Sequence, residues 1–268
     1  MNDMEIIGYI ASLLIGILLG LIGGGGSILT VPVMFYLFGL QPLLATSYSL
    51  FVVGSTSLVG AYSNFRKGLV NIKAALLFGA SSIVTVFLTR KFIVPLIPKD
   101  IVTISGVTIT EPFLTMVLFA VLMLVASIGM IRSKGVNMGE KECLDSVRFG
   151  KLLIYGVAIG LVTGFLGAGG GFLLIPALVL LLNLPMKKAV GTSLMIIALN
   201  SLIGFTGDLG HFAIDWNFLL TITAIAVCGI FIGSALNKKI PGDKLKKGFG
   251  WFVLVMGIYI LLKETVLK

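Results

Sequence analysis

The sequence predicts an all-α polytopic membrane protein made of two homologous five-segment halves with glycine-broken helices. Three observations predict it: charge is scarce and segregated, apolar runs of spanning length recur, and the second half repeats the first at a fixed offset. Only 12% of the 268 residues are charged and 57% are hydrophobic, against roughly 25% and 45–50% in a soluble domain. That leaves too little polar surface to cover a globule. Residues 6–65, 152–186, 189–207 and 216–237 contain no Asp, Glu, Lys or Arg. A span needs about 20 mostly apolar residues, so the longest of these blocks hold more than one span.

Glycine, proline and charge clusters cut the chain into ten segments, at 5–22, 27–39, 43–63, 70–97, 112–131, 150–166, 172–184, 187–206, 216–236 and 246–263. The first reads as a retained span, because its flank carries Asp3 and Glu5 without a basic residue and no small-residue cleavage site follows. Residues 1–131 form the N-terminal repeat, 132–149 a polar cytoplasmic linker and 150–268 the C-terminal repeat. Glu111 before Pro112 reads as a helix start.

Sliding the chain by 144 residues superposes the halves without gaps from Gly16 onward. Gly16, Gly20, Gly23, Gly25, Gly26 and Pro32 fall on Gly160, Gly164, Gly167, Gly169, Gly170 and Pro176. Ala45, Ser49, Ser57 and Gly60 fall on Ala189, Ser193, Ser201 and Gly204. Leucine matches are cheap in this composition, but glycines and prolines in one order at one offset mark a duplication.

Basic residues set orientation. If every segment crosses, one side collects fifteen of them: Arg66, Lys67, Lys73, Arg132, Lys134, Lys141, Arg148, Lys151, Lys187, Lys188, Lys238, Lys239, Lys244, Lys246 and Lys247. The other side has five, Arg90, Lys91, Lys99, Lys263 and Lys268, with the acidic Asp3, Glu5, Asp208 and Asp215. This bias puts both termini outside the cell membrane and the linker inside. With five crossings per half, the repeat is inverted, an architecture common among secondary transporters. The short segments 27–39 and 172–184 span only about 20 Å as helices, so half-helices or re-entrant elements are the alternative. The net charge of +9 needs no nucleic-acid partner, because the basic residues sit in short connections instead of one patch. The expected partners are the bilayer and a small anion, with a homo-oligomer left open.

Candidate site residues follow from the breaks. Gly23, Gly24, Gly25 and Gly26, and Gly167, Gly169, Gly170 and Gly171, are poor helix formers free to take positive φ. Unwound backbone at membrane depth must be enclosed by protein or line a water-filled cavity. Its freed N–H groups beside a helix N-terminus suit an anion, and two such cradles could face one site. Packing through small residues is the plainer reading, and it fits Gly16, Gly20, Gly160 and Gly164 well. No Lys-Ser or Lys-Thr follows to make a phosphate-binding loop.

Thr46 and Ser47, and Thr192 and Ser193, open the third segment of each half and match only after a two-residue shift. They can cap the helix or donate to an oxyanion. Asn200 is the most polar group in a charge-free run, so its amide bonds a neighbouring helix or lines the path. Asp208, His211 and Asp215 read as an interfacial loop, with Asp208 and His211 as the alternative coupling site. No metal-ligand spacing involves Cys143 or Cys228, and no cofactor motif is present. An enzyme is disfavoured, since there is no HExxH and the single His211 is loop-borne.

The pattern Gly164-x-x-Gly167-x-Gly169-Gly170-Gly171 with Pro176, then Ala189-x-Gly191-Thr192-Ser193-Leu194, with a degenerate copy in the first half, resembles the TauE/SafE sulfite exporter family, also called the 4-toluene sulfonate uptake permease family. The first copy departs from the pattern at Ser27 and Tyr48. The resemblance implies transport of small sulfur-containing anions of the sulfite, sulfoacetate or organosulfonate type across the cytoplasmic membrane. An anion channel, or a carrier for a different anion, would share the glycine breaks.

Overall fold

The computed structural model describes residues 3–96, 100–104, 107–132, 149–182, 184–211, 213–237 and 242–266. The linker 132–149 therefore lies outside the described residues except at its two ends, and so does Cys143. Ten α-helices are described: α1 (Asp3–Ile22), α2 (Thr30–Tyr36), α3 (Pro42–Arg66), α4 (Ile72–Leu88), α5 (Glu111–Arg132), α6 (Phe149–Leu166), α7 (Gly171–Leu182), α8 (Met186–Asp208), α9 (Trp216–Leu236) and α10 (Gly242–Thr265). A 3-10 turn, Gly24–Leu29, precedes α2, and a π-turn, Thr89–Ile93, carries α4 onward to Leu96. Four spans among the described residues are long and apolar enough to cross a membrane: Pro42–Arg66, Ile72–Leu96, Lys187–Asp208 and Trp216–Leu236. Outside all ten predicted segments, strands β1 (Asp100–Ile104) and β2 (Val107–Thr110) form a small antiparallel hairpin, with Ile104 paired to Val107.

Helix ends fall where the sequence places breakers. α1 stops at Ile22 because Gly23 takes φ 77°, and α6 stops at Leu166 because Gly167 takes φ 66°. α3 starts with Pro42 in its first turn. Asn71 and Asp215 cap α4 and α9, their side chains accepting from the Ala74 and Phe218 amides.

The helices pack as α1 on α9, α4 on α6, α3 on α8 and α5 on α10, with α3 also on α9 and α8 on α4. Exchanging the halves leaves this pattern unchanged. α1 and α9 run parallel, with Gly16 and Gly20 seated on Gly229 and Gly233. α6 and α4 do likewise, with Gly160 on Ser82 and Gly164 on Thr89. These four repeat glycines thus act through close backbone approach, as the packing reading expects. α3 and α8 run antiparallel: Leu50 lies on Gly204, Gly54 on Leu202, Gly60 on Leu194 and Asn64 on Gly191.

The correspondence extends to atoms. The Asn71 amide donates to Thr192 Oγ1 at 2.9 Å, and the Asp215 amide, 144 residues on, donates to Tyr48 OH at 2.7 Å. Gly60 contacts Ile230 and Leu194, and Gly204 contacts the equivalent Val86 and Leu50. The residue equivalent to Thr192 is thus Tyr48, so the two Thr-Ser pairs are not counterparts.

The short second segment returns toward the start of α1. Gly26 lies against Leu18 and Leu19 near the end of α1, and Phe38 lies against Gly8 near its start. The Tyr36 hydroxyl at that same end donates to Glu264 Oε1 at 3.0 Å, so the starts of α1 and α3 and the end of α10 meet there. At the opposite end, the Asn237 side chain after α9 donates to the Leu21 carbonyl.

Candidate functional site

The outer surface is apolar, and the interior holds small polar side chains among its hydrophobic core. Ile154, Leu76, Phe231, Val255 and Trp251 face outward, while Thr46, Ser47, Ser49, Thr56, Ser57, Thr192, Ser193, Asn200 and Ser201 are fully buried. Every one of these polar residues lies on α3 or α8, the central antiparallel pair. Water would favour the reverse arrangement, whereas lipid favours this one.

Each glycine break sits against the first turns of the other half's central helix. A Cβ on Gly23 would stand 2.8 Å from Val190 Cγ1, and one on Gly167 would collide with the Thr46 backbone; Val190 and Thr46 are equivalent positions. Gly169 and Gly170 also take positive φ, 66° and 67°. A Cβ on Gly169 would lie 3.1 Å from Ser201 Oγ, and Gly170 abuts the Thr163 hydroxyl. Neither hydroxyl has a hydrogen-bond partner. The two breaks touch through Gly24 and Gly171, whose α-carbons leave no room for a methyl group, so no ion fits between those two residues in this conformation. Gly25 continues the 3-10 turn beside Gly26.

Neither Thr-Ser pair caps its helix, because Gln41 and Pro185 occupy the N-cap positions of α3 and α8. Thr46 Oγ1 instead donates to the Leu43 carbonyl at 2.7 Å, and Ser193 Oγ to the Val190 carbonyl at 2.9 Å. Thr192 serves the Asn71 amide, and the Ser47 hydroxyl interacts with the Asp208 carboxylate. The Asn200 amide donates to Ser82 Oγ at 2.7 Å, joining α8 to α4, while its Oδ1 has no partner.

The loop reading of Asp208, His211 and Asp215 divides. His211 is exposed in the turn after α8, and Asp215 caps α9. Asp208 is 1% exposed and forms an ion pair at 3.2 Å with Arg90, which is 0% exposed. The placement of Arg90 corrects the charge count, which treated it as a solvated flanking residue like Lys91. Lys91 is exposed, but its neighbour in the same π-turn faces into the bundle. There Arg90 Nη1 donates to both Asp208 Oδ2 and Thr46 Oγ1, the latter at 3.0 Å. No group of three or more His, Cys, Asp or Glu capable of holding a metal occurs among the described residues.

The family model for the sulfite exporter TauE/SafE matches residues 9–260. The chain belongs to this family. Similar proteins include a probable membrane transporter protein of Xylella fastidiosa, 27% identical over 94% of this chain and 92% of its own length. The probable membrane transporter protein YdhB of Bacillus subtilis is 27% identical over 92% of this chain and 96% of its own length. A relative in Methanocaldococcus jannaschii, also a probable membrane transporter protein, is 25% identical over 94% of each chain. No solved structure matches. In this TauE/SafE protein the recurrent glycine motifs form the two breaks at the centre of the bundle. Arg90 belongs to no recurrent motif. The one signal for it in the sequence was a pair of charges, Arg90-Lys91, inside an otherwise apolar segment, which in a membrane marks a functional residue by default.

Proposed function

We propose that the chain is a secondary transporter that carries a small sulfur-containing oxyanion, of the sulfite or sulfonate type, across the cell membrane by alternating access. The observation that carries this reading is the pair of positive-φ glycine breaks, Gly23 and Gly167, each seated on the equivalent turn of the other half's central helix. Their surroundings support it. Ser49, Thr56, Ser57, Thr163 and Ser201 carry buried hydroxyls without partners, whereas a merely structural interior satisfies such groups. Substrate oxygens bridging these hydroxyls and the freed backbone N–H groups would satisfy them.

The antiparallel run of α3 and α8, equivalent helices of the two halves, supports an inverted repeat about an axis in the membrane plane. In such carriers one half rocks against the other around a central site. The bias of basic residues supports an orientation with both termini outside.

Uptake of radiolabelled sulfite and methanesulfonate into proteoliposomes tests the function. Saturable flux is expected, and flux that rises linearly with concentration would refute a carrier. Thr163→Val combined with Ser201→Ala is expected to raise KM several-fold while leaving thermal stability unchanged, since neither hydroxyl bonds protein. An unchanged KM would remove these hydroxyls from the site.

A further inference from the structure

The Arg90–Asp208 pair has features that a structural ion pair lacks. A guanidinium and a carboxylate buried together for stability normally meet through two parallel N–H···O bonds, with the remaining donors satisfied. Here Nη1 alone reaches both Asp208 and Thr46, while Nε and Nη2 have no partner. Nε and Nη2 lie on one edge of the guanidinium plane, the edge whose parallel N–H bonds match two oxygens of a carboxylate, sulfite or sulfonate. Leaving such donors empty in a buried site is costly.

The architecture does not need the pair. At the equivalent positions of the other half stand Ser234, Asn64 and Val190 in place of Arg90, Asp208 and Thr46, and that half closes in the same way without a charge. The ion pair is therefore an addition to one half of a duplicated scaffold. It also rests on a π-turn, Thr89–Ile93, a local irregularity that recurs at functional sites.

The immediate surroundings suit an oxyanion. Ser47 on α3 stands beside Asp208, and its hydroxyl interacts with that carboxylate. Gly167, in its positive-φ conformation, abuts Thr46, so the guanidinium, two hydroxyls and a glycine break gather within one neighbourhood. Gly207 lies directly on Arg90 and keeps the approach of α8 close.

We propose that Arg90 is the residue on which the transported oxyanion docks, through its unpaired Nε/Nη2 edge, which is buried in this conformation, with Asp208 as the resident counter-ion that holds the guanidinium when the site is empty. This rests on the transport reading for the identity of the ligand, but the docking itself is a binding claim with its own readout. Asp208 and the oxyanion are like charges on one cation in a low-dielectric interior, so each weakens the hold of the other.

The test is the thermal stability of the purified full-length protein in detergent, titrated with sodium sulfite and sodium methanesulfonate against sodium chloride at equal ionic strength, with proteoliposome flux measured in parallel. Wild-type protein is expected to be stabilised by the two oxyanions beyond the chloride control. Asp208→Asn keeps an acceptor for Nη1 and removes the competing charge, so it should bind about tenfold more tightly. Adding Arg90→Gln to Asp208→Asn leaves a neutral, hydrogen-bonding pair and should weaken binding about a hundredfold relative to Asp208→Asn alone. Arg90→Lys keeps the charge without the fork, giving a second variant should the double one not yield folded protein, and should lose about tenfold. No specific stabilisation of the wild type, or equal binding with and without Arg90, would overturn the docking. Specific stabilisation without saturable flux would overturn the transport reading and leave the docking intact.

Discussion

Gly23 and Gly167 show what one residue decides in this bundle. Both end a helix by entering the left-handed region, which costs an ordinary residue roughly 1–2 kcal/mol, and both do so against the neighbouring half. Gly39 also has positive φ, 65°, but a Cβ there would meet nothing within 4 Å. The contrast separates backbone strain from packing. Gly39→Ala should cost only the strain, about 1–2 kcal/mol, whereas Gly167→Ala adds a collision with the Thr46 backbone and should lower the melting temperature several times further. Fluorescence-detected size-exclusion after a heating series would measure both, and equal losses would show that α3 yields freely at that contact. The glycines were legible because their conformational need is local. Arg90 was not, because its partner lies 118 residues away in the sequence.

The ten helices are legible as elements because apolar runs, prolines and glycines mark their ends without reference to tertiary structure. The β1–β2 hairpin falls outside the ten segments because they follow long apolar runs, although two short β-branched runs flanking the turn dipeptide Ser105-Gly106 mark it in the sequence. Pairing between elements needs coordinates: the sequence suggests that Thr46 corresponds to Thr192, yet the hydrogen bonds assign Tyr48 to that role. Each of these two hydroxyls holds the first turn of a helix that also carries its own acidic or amide cap, Asn71 for α4 and Asp215 for α9. The equivalence makes a quantitative prediction. Tyr48→Phe and Thr192→Val should each remove the acceptor of one part-buried amide and cost about 0.5–1.5 kcal/mol, similar to each other despite the difference between a phenol and a small alcohol. A large loss from one and none from the other, in thermal unfolding of the purified protein, would show that the duplicated geometry has diverged in function at those helix starts.

At the scale of the molecule, the short second segment decides the topology. Had it turned back halfway, α3 would begin at the end of the bundle where α1 finishes. Instead Phe38 reaches Gly8 at the start of α1, and Arg90, Asp208 and Thr46 gather at that same end. Lys67 follows the far end of α3, where Asn64 meets the start of α8. The exposed residues Gln41 and His211 therefore lie at one end and the exposed Lys67 at the other. With Cys143 and Cys228 replaced by serine, single cysteines at these three positions read the arrangement directly. A membrane-impermeant maleimide applied to intact cells should label Gln41→Cys and His211→Cys, and should label Lys67→Cys only after permeabilisation. Labelling of Gln41→Cys and Lys67→Cys from the same face would refute the ten-crossing arrangement, because α3 alone separates them. The mirror pattern, with Lys67→Cys labelled outside, would keep the crossings and reverse the orientation, which would mean that the bias of basic residues expected from the sequence does not govern insertion. The expected pattern would place the Arg90–Asp208 pair nearer the outer face, so that a substrate arriving from outside meets the guanidinium soon after entering the bundle.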